Sequence, residues 1–273
     1  MTLLDGFTWT REAWGAALRS SSLAQVADHF FTTRQLRLRG ETERDDWAAA
    51  AATIGVSSDR LLRLTQVHGR DVVTVRRGAS EICGAARGVD RSGPVEGDGR
   101  DGASWPEADI LLSDDPSVAL AIQVADCVPL LVADRRSGAV AGVHAGWRGT
   151  AAGAAPAAVA ALGREFGALP EDLVVAQGPS IGACCYVVGP ELVEAFEAGG
   201  FGRWIDRWFR EVEGQIRLDL WMANRDQLIE AGIREDDIHQ PGLCTASHPQ
   251  WFASYRRDGP GTGRIAAVIR SRG

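Results

Sequence analysis

Val118 to Thr150 reads VALAIQVADCVPLLVADRRSGAVAGVHAGWRGT, and three apolar runs inside it decide the kind of fold. The runs 118–124, 128–133 and 139–144 are rich in Val, Ile, Leu and Ala and end in turn residues, which predicts buried strands. Between the second and third, Arg135-Arg136-Ser137-Gly138 reads as a hairpin turn. A two- or four-residue loop centred there pairs Asp134 with Ala139 and Cys127 with Gly146. His144 then lies diagonally from Cys127 on the same face, roughly 7–8 Å away between backbones. A slip of one residue would place the two on opposite faces.

Outward from this hairpin, 61–67, 71–76, 173–177 and 265–269 read as further strands. Helices are expected over 43–53, 151–166, 190–198 and 220–231, the third with Pro190 in its first turn. Strands alternating with helices, but interrupted by hairpins, predict a mixed sheet with covering helices rather than a pure doubly wound sheet. One domain spanning 1–273 accommodates this. The stretch 84–107, GAARGVDRSGPVEGDGRDGASWPE, is read as a mobile loop and candidate lid within that domain. A boundary there would part the two halves of the candidate site described below.

A chain of 273 residues has ample length for a buried core. Its net charge of −7, with no dominant basic patch, argues against a nucleic-acid partner. All 29 basic residues other than histidine are arginine. The absence of lysine excludes a Schiff-base lysine, a Walker lysine and a lysine general base. No apolar run approaches the ~20 residues needed to cross a bilayer, and MTLLDGFTWTREAW lacks the pattern of a signal peptide. Five cysteines, including the adjacent Cys184-Cys185, do not read as a disulfide framework. The expectation is a cytoplasmic protein with reduced thiols and no membrane partner, as a monomer or homodimer.

Two of the five histidines, His68 and His144, stand at strand ends just before or near glycine, in Gln66-Val67-His68-Gly69 and Val143-His144-Ala145-Gly146. Cys127 follows another strand in Ala125-Asp126-Cys127. Together His68, Cys127 and His144 have the composition of a catalytic zinc site, three protein ligands and an open position. The same set suits type-1 copper, although Met1 and Met222, the only candidates for its weak axial ligand, are remote in sequence. A buried cysteine with two core histidines is the third reading, and spacing leaves all three open.

Other candidates are weaker. Arg148, in Trp147-Arg148-Gly149-Thr150 before the Ala-rich helix, is placed to meet an anion with the helix N–H groups, or to be a surface arginine beside a cap. Gly178-Pro179-Ser180-Ile181-Gly182 is a tight turn without phosphate-loop spacing. Arg256-Arg257-Asp258 and Thr262-Gly263-Arg264 read as anion-facing or as paired surface groups. Cys184 and Cys185 read as packed rather than as ligands.

In order along the chain, Thr65–Gly69, Ala108-Asp109, Val124–Pro129, His144–Gly149, Gly178–Gly182 and Cys184-Cys185-Tyr186 resemble the laccase-domain, or YfiH-type, family. Leu218-Asp219-Leu220, Asn224, Gln227-Leu228, Cys244-Thr245, Ser254–Asp258 and Thr262–Arg264 extend the resemblance to about residue 270. Members are known variously as multicopper polyphenol oxidases and purine nucleoside phosphorylases. The resemblance implies a single α+β domain of mixed β-sheets with covering helices, layered α/β/β/α, and a zinc site, with copper as the alternative metal, at His68, Cys127 and His144. It also implies phosphorolysis of adenosine, inosine, guanosine and S-methyl-5′-thioadenosine, with adenosine deamination. Asp126 would then carry protons, Cys127 would be ligand or nucleophile, and Gln66, Arg148 and Arg256 would be candidates for holding substrate or phosphate. Two departures bear on substrate preference: a Gly-rich segment expected after Thr33-Arg34 is missing, and Val187 stands where the family usually has Glu.

The resemblance carries two alternatives, an amidase that edits peptidoglycan precursors and a copper-dependent polyphenol oxidase. Five histidines without a His-x-His pair are too few for a type-1 copper plus a three-copper cluster. The oxidase label therefore fits this chain poorly.

Overall fold

The computed structural model describes residues 6–78, 83–84 and 105–273. Most of the segment expected to be a lid, 85–104, lies outside the described residues.

The Val118–Thr150 region folds as a hairpin in the expected register. Val128–Asp134 pairs antiparallel with Val140–Ala145, with His144 opposite Pro129 and Ala145 opposite Val128. Asp134 closes the loop: its carbonyl accepts from Gly138, while its carboxylate accepts from the amides of Arg136 and Ser137. This hairpin is the centre of a seven-stranded mixed sheet among the described residues. Its order runs Ile238–His239, Leu173–Gln177, Val128–Asp134, Val140–Ala145, Ile110–Ser113, Val72–Val75 and Cys83–Gly84. The preceding run, Ala119–Val124, belongs to a second sheet of six strands. That sheet runs Phe7–Glu12, Gly15–Ser20, Asp28–Phe31, Ile265–Arg270, Ala119–Val124 and Leu61–Leu62.

The two sheets pack face to face because the side-chain period of two gives each central strand two apolar faces. Leu131, Ala133 and Val140 from one sheet meet Leu120, Ile122 and Ile269 from the other in a common core. The opposite face of the hairpin, Leu130, Val132, Ala141 and Val143, is covered by the helices Ala154–Phe166, Pro190–Phe196 and Leu220–Glu230. Small residues such as Ala158 and Ala161 let the first of these lie close to the sheet. On the outer face of the second sheet, Ala119, Ala121 and Val268 pack on Trp47, Ala50 and Ile54 of helix Glu43–Ile54. The layers are α/β/β/α.

Several elements differ in extent from expectation. The helix expected over 151–166 is two helices, Trp147–Ala151 and Ala154–Phe166, separated at Gly153 with φ +79°, a conformation that ends a helical run. Arg148 therefore lies inside a short first helix rather than ahead of the Ala-rich one. The expected strand 61–67 keeps only Leu61–Leu62 in the sheet, and Thr65 makes a separate bridge to Glu107. The third helix ends at Phe196, two residues early. A small sheet of Val187–Val188, Gln215–Leu218 and Phe209–Val212 was not expected.

Candidate active site

The chain passes from one sheet to the other twice in the same region, and each crossing delivers a site residue. Val124 ends its strand in the six-stranded sheet and Val128 begins its strand in the seven-stranded one, so Cys127 lies in the crossing. After Leu61–Leu62 the chain leaves the six-stranded sheet, and it rejoins the other at Val72, which places His68 in the second crossing. His144 approaches from the end of the hairpin. Both crossings are conformationally costly. His68 and Asp126 adopt φ of +64° and +91°, a region that L-residues seldom occupy and that costs of order 1–3 kcal/mol each.

The strained residues are held by specific bonds. The Asp126 carboxylate accepts from the Thr245 hydroxyl and from the amide of Arg256, both at 2.6 Å, and its carbonyl accepts from Ile181 at 2.9 Å. His68 is held by Asp109, whose Oδ1 accepts from the His68 amide at 3.0 Å and whose Oδ2 accepts from the Gly69 amide at 2.5 Å. The same Oδ1 binds His144 Nδ1 at 2.7 Å. Asp109, fully buried, stands in the Ala108-Asp109 match to the family, but the sequence alone assigns it no role. The available signal was a carboxylate heading the apolar run Ile110-Leu111-Leu112.

One ligand atom from each of His68, Cys127 and His144 lies within 4.8 Å of the others. The His68 and His144 rings meet edge to face, with centroids 4.8 Å apart. The paired register ends at Ala145 opposite Val128, one step short of Gly146, and a Cβ at Gly146 would lie 2.7 Å from Cys127 Sγ. Burial by itself pushes the Cys127 thiol up, but the charge of His144 and hydrogen bonds from both histidines bring it down to about 6. Burial likewise disfavours a charged His144, yet Cys127 and Asp109 together raise its pKa above the ordinary imidazole value. The carboxyl of Asp109, which burial alone would raise, is held below the usual carboxylate range by His144 and the two amides.

These residues fit a metal ion. The donor set is one sulfur and two imidazoles, and the Asp109 contact at His144 Nδ1 leaves Nε2 free to ligate, the usual outer-shell arrangement of a metal-binding histidine. The three donor residues line a cavity of about 700 Å³ together with Arg148, Arg256 and Arg264. Arg256 donates to the Val187 carbonyl and stacks over Tyr186, with 5.0 Å from its Cζ to the ring centroid. Arg148 lies over the Trp147 ring at 4.2 Å. Gln66 also lines the cavity, but its amide exchanges two 2.8 Å hydrogen bonds with the backbone of Gln123. Arg264 is shared with a neighbouring cleft of about 490 Å³ that holds Arg34 and Arg37.

The remaining histidines take no part. His29 is bonded to the Ser20 amide within the six-stranded sheet, His239 lies in an edge strand and His248 contacts the Cys244 carbonyl. Among the described residues no second histidine group exists to build a multicopper cluster.

The four-layer α/β/β/α domain has the fold of laccase-domain proteins, and in this chain the crossings between its sheets bring one cysteine and two histidines together. The chain belongs to the family described as "Multi-copper polyphenol oxidoreductase laccase", whose model matches residues 41–272. A purine nucleoside phosphorylase of Deinococcus radiodurans is 36% identical over 92% of this chain and 91% of its own length. One of Bacteroides thetaiotaomicron is 40% identical over 59% of this chain, and the match spans 60% of that relative's length. Adenosine deaminase RL5, from an unknown prokaryotic organism, is 35% identical over 61% of this chain and 63% of its own. The crystal structure of YlmD from Geobacillus stearothermophilus superimposes with a TM-score of 0.80 at 29% identity, covering 97% of this chain and 99% of that one. No helix among the described residues is long and apolar enough to cross a membrane.

Proposed function

We propose that this chain is a purine nucleoside phosphorylase that also deaminates adenosine. The observation carrying the reading is the open donor set of His68, Cys127 and His144 in a cavity that three arginines also line. Its substrates are adenosine, inosine, guanosine and S-methyl-5′-thioadenosine, and it acts in the cytoplasm. The names of the Deinococcus and Bacteroides relatives support phosphorolysis, and that of RL5 supports deamination.

In phosphorolysis a phosphate oxygen bonds to the ribose C1′ as the C1′–N9 bond breaks, and the electron pair leaves with the purine. Arg148, Arg256 and Arg264 hold the phosphate, because guanidinium groups match its oxygens in a planar, two-point fashion. Tyr186, buried beside Arg256, gives the base an aromatic surface. Asp126, pinned by Thr245 and the Arg256 amide, has lone pairs to spare on each oxygen and manages the proton at the departing base. Zinc, or copper in its place, bound by His68, Cys127 and His144 would supply Lewis acidity in the cavity. In deamination water adds at C6 of the purine, and the C6–N6 bond breaks to release ammonia.

Chromatographic analysis of adenosine incubated with the purified protein, with and without phosphate, tests the proposal. Adenine and ribose 1-phosphate that appear only with phosphate, and inosine that appears without it, are expected. No conversion by protein with metal bound would overturn the reading and turn attention to amide hydrolysis of peptidoglycan precursors.

A further inference from the structure

Outside the cavity, three more sulfurs converge. Cys184 and Cys185 lie in the turn that follows Gly182, and Cys244 arrives from a segment 59 residues further along. Their Sγ atoms all fall within 4.8 Å of one another, with Cys184 and Cys185 at 3.5 Å. Adjacent residues on a strand point to opposite faces. Here the turn, closed by bonds from the Cys185 and Tyr186 amides to the Gly182 carbonyl, brings both sulfurs to one side. The two segments are tied independently of the sulfurs. Ser180 and Cys244 form a parallel bridge, the Thr245 amide donates to the Ser180 carbonyl at 3.0 Å, and the Gly182 amide donates to Cys244 Sγ at 3.3 Å.

Cys127, Cys184, Cys185 and Cys244 are all free thiols. A disulfide would need two sulfurs, whereas this arrangement presents three, one buried, one half-buried and one exposed. Metal–sulfur bonds of about 2.3 Å in a trigonal or tetrahedral array place sulfurs roughly 4 Å apart, close to the spacing found. A donor set made only of sulfur selects soft cations over magnesium, calcium or manganese. The Arg217 guanidinium, bonded to the Cys184 carbonyl, offsets part of the negative charge that thiolates would gather.

We propose that Cys184, Cys185 and Cys244 form a second metal site, an all-thiolate one for a soft d10 cation, separate from His68, Cys127 and His144. On binding, each thiol gives its proton to solvent as its sulfur bonds the metal, and no oxidation takes place. The bound ion would clamp the 178–186 turn, whose Ile181 and Tyr186 line the cavity, to the Cys244 segment.

Cadmium(II) titrated into metal-stripped protein, with a non-thiol reductant, reads this through sulfur-to-metal charge-transfer absorption. The whole protein is expected to take two equivalents. Cys127→Ser should keep the stronger, three-sulfur band, and Cys184→Ser, at the exposed position, should lose one equivalent while the other remains. Cys244→Ser, if it folds, should behave like Cys184→Ser. A single equivalent that disappears with Cys127→Ser, or a thiol count showing these cysteines already joined as a disulfide, would overturn the proposal.

Discussion

Asp109 has two carboxylate oxygens and serves three donors with them: the His144 ring and the amides of His68 and Gly69. One side chain therefore sets the His144 tautomer and the backbone carrying His68. Asp109→Asn keeps the shape but removes the charge and offers an N–H where an acceptor is needed. Losing such an outer-shell partner typically costs about 10–100-fold in metal affinity or activity. Competition with a chromophoric chelator should show a weakening in that range, and unchanged affinity would mean that Asp109 only shapes the loop. Cys127→Ala is expected to abolish nucleoside turnover in a protein with native circular dichroism, since Cys127 lies at the cavity rather than deep in the core. Turnover retained by the folded variant would remove Cys127 from the chemistry. His68, Cys127 and His144 could be read from the sequence because each stands at the end of an apolar run. The role of Asp109 could not, because only tertiary pairing shows what a buried aspartate at a strand start is bonded to. The meeting of Cys244 with Cys184 and Cys185 leaves no local trace either.

The hairpin is the element whose register makes the site, and Gly146 tests it. A methyl at this position would sit 2.7 Å from Cys127 Sγ and 3.4 Å from the His68 ring. Overpacking of this kind costs about 1–3 kcal/mol. Because the crowded atoms belong to the proposed ligands, Gly146→Ala should lower metal affinity or kcat/KM by about tenfold or more, with a smaller effect on Tm. His29 makes a second prediction, in the six-stranded sheet. Burial lowers its pKa to about 4, and the neutral ring accepts from the Ser20 amide at Nε2 and faces the Ala27 carbonyl at Nδ1. A depressed folded pKa means that the unfolded chain binds more protons between pH 6.5 and 4. The stabilisation is thus complete above about 6.5 and lost as pH falls toward 4, by about 3 kcal/mol. Urea unfolding across this range should show the decline, and His29→Gln should flatten it. Elements buried on both faces, such as Val128–Asp134 and Leu173–Gln177, were legible as apolar runs. The strands Phe7–Glu12 and Phe209–Val212 were not, since an edge or small-sheet strand mixes charged with apolar residues and carries no clear period.

At the scale of the whole molecule, the fold is built independently of the site. Two sheets and their covering helices close three apolar cores, and the candidate metal residues lie at the margin of the core between the sheets, where the chain crosses over. Asp109 and Asp126 tie the crossings with bonds that need no metal. Central strands and Ala-rich runs announced a mixed sheet with covering helices, while the second sheet and the four-layer order came only with the resemblance to the laccase-domain family. Which strand belonged to which sheet was not legible, because pairing is decided by contacts remote in sequence, as between Ile265–Arg270 and Asp28–Phe31. This separation of fold from site predicts the response to metal removal. Small domains organised around a metal unfold when it is chelated. Here an ion would add only its binding free energy, roughly 3 kcal/mol at a hundredfold excess over its Kd. That corresponds to about 5 °C in Tm for a chain of this size. Dialysis against a strong chelator should therefore abolish nucleoside turnover while the far-ultraviolet circular dichroism is kept and unfolding stays cooperative. Restoring zinc should return both activity and the lost degrees. Loss of the dichroism at room temperature on chelation would show instead that the metal holds the two crossings together and that the carboxylates alone do not suffice.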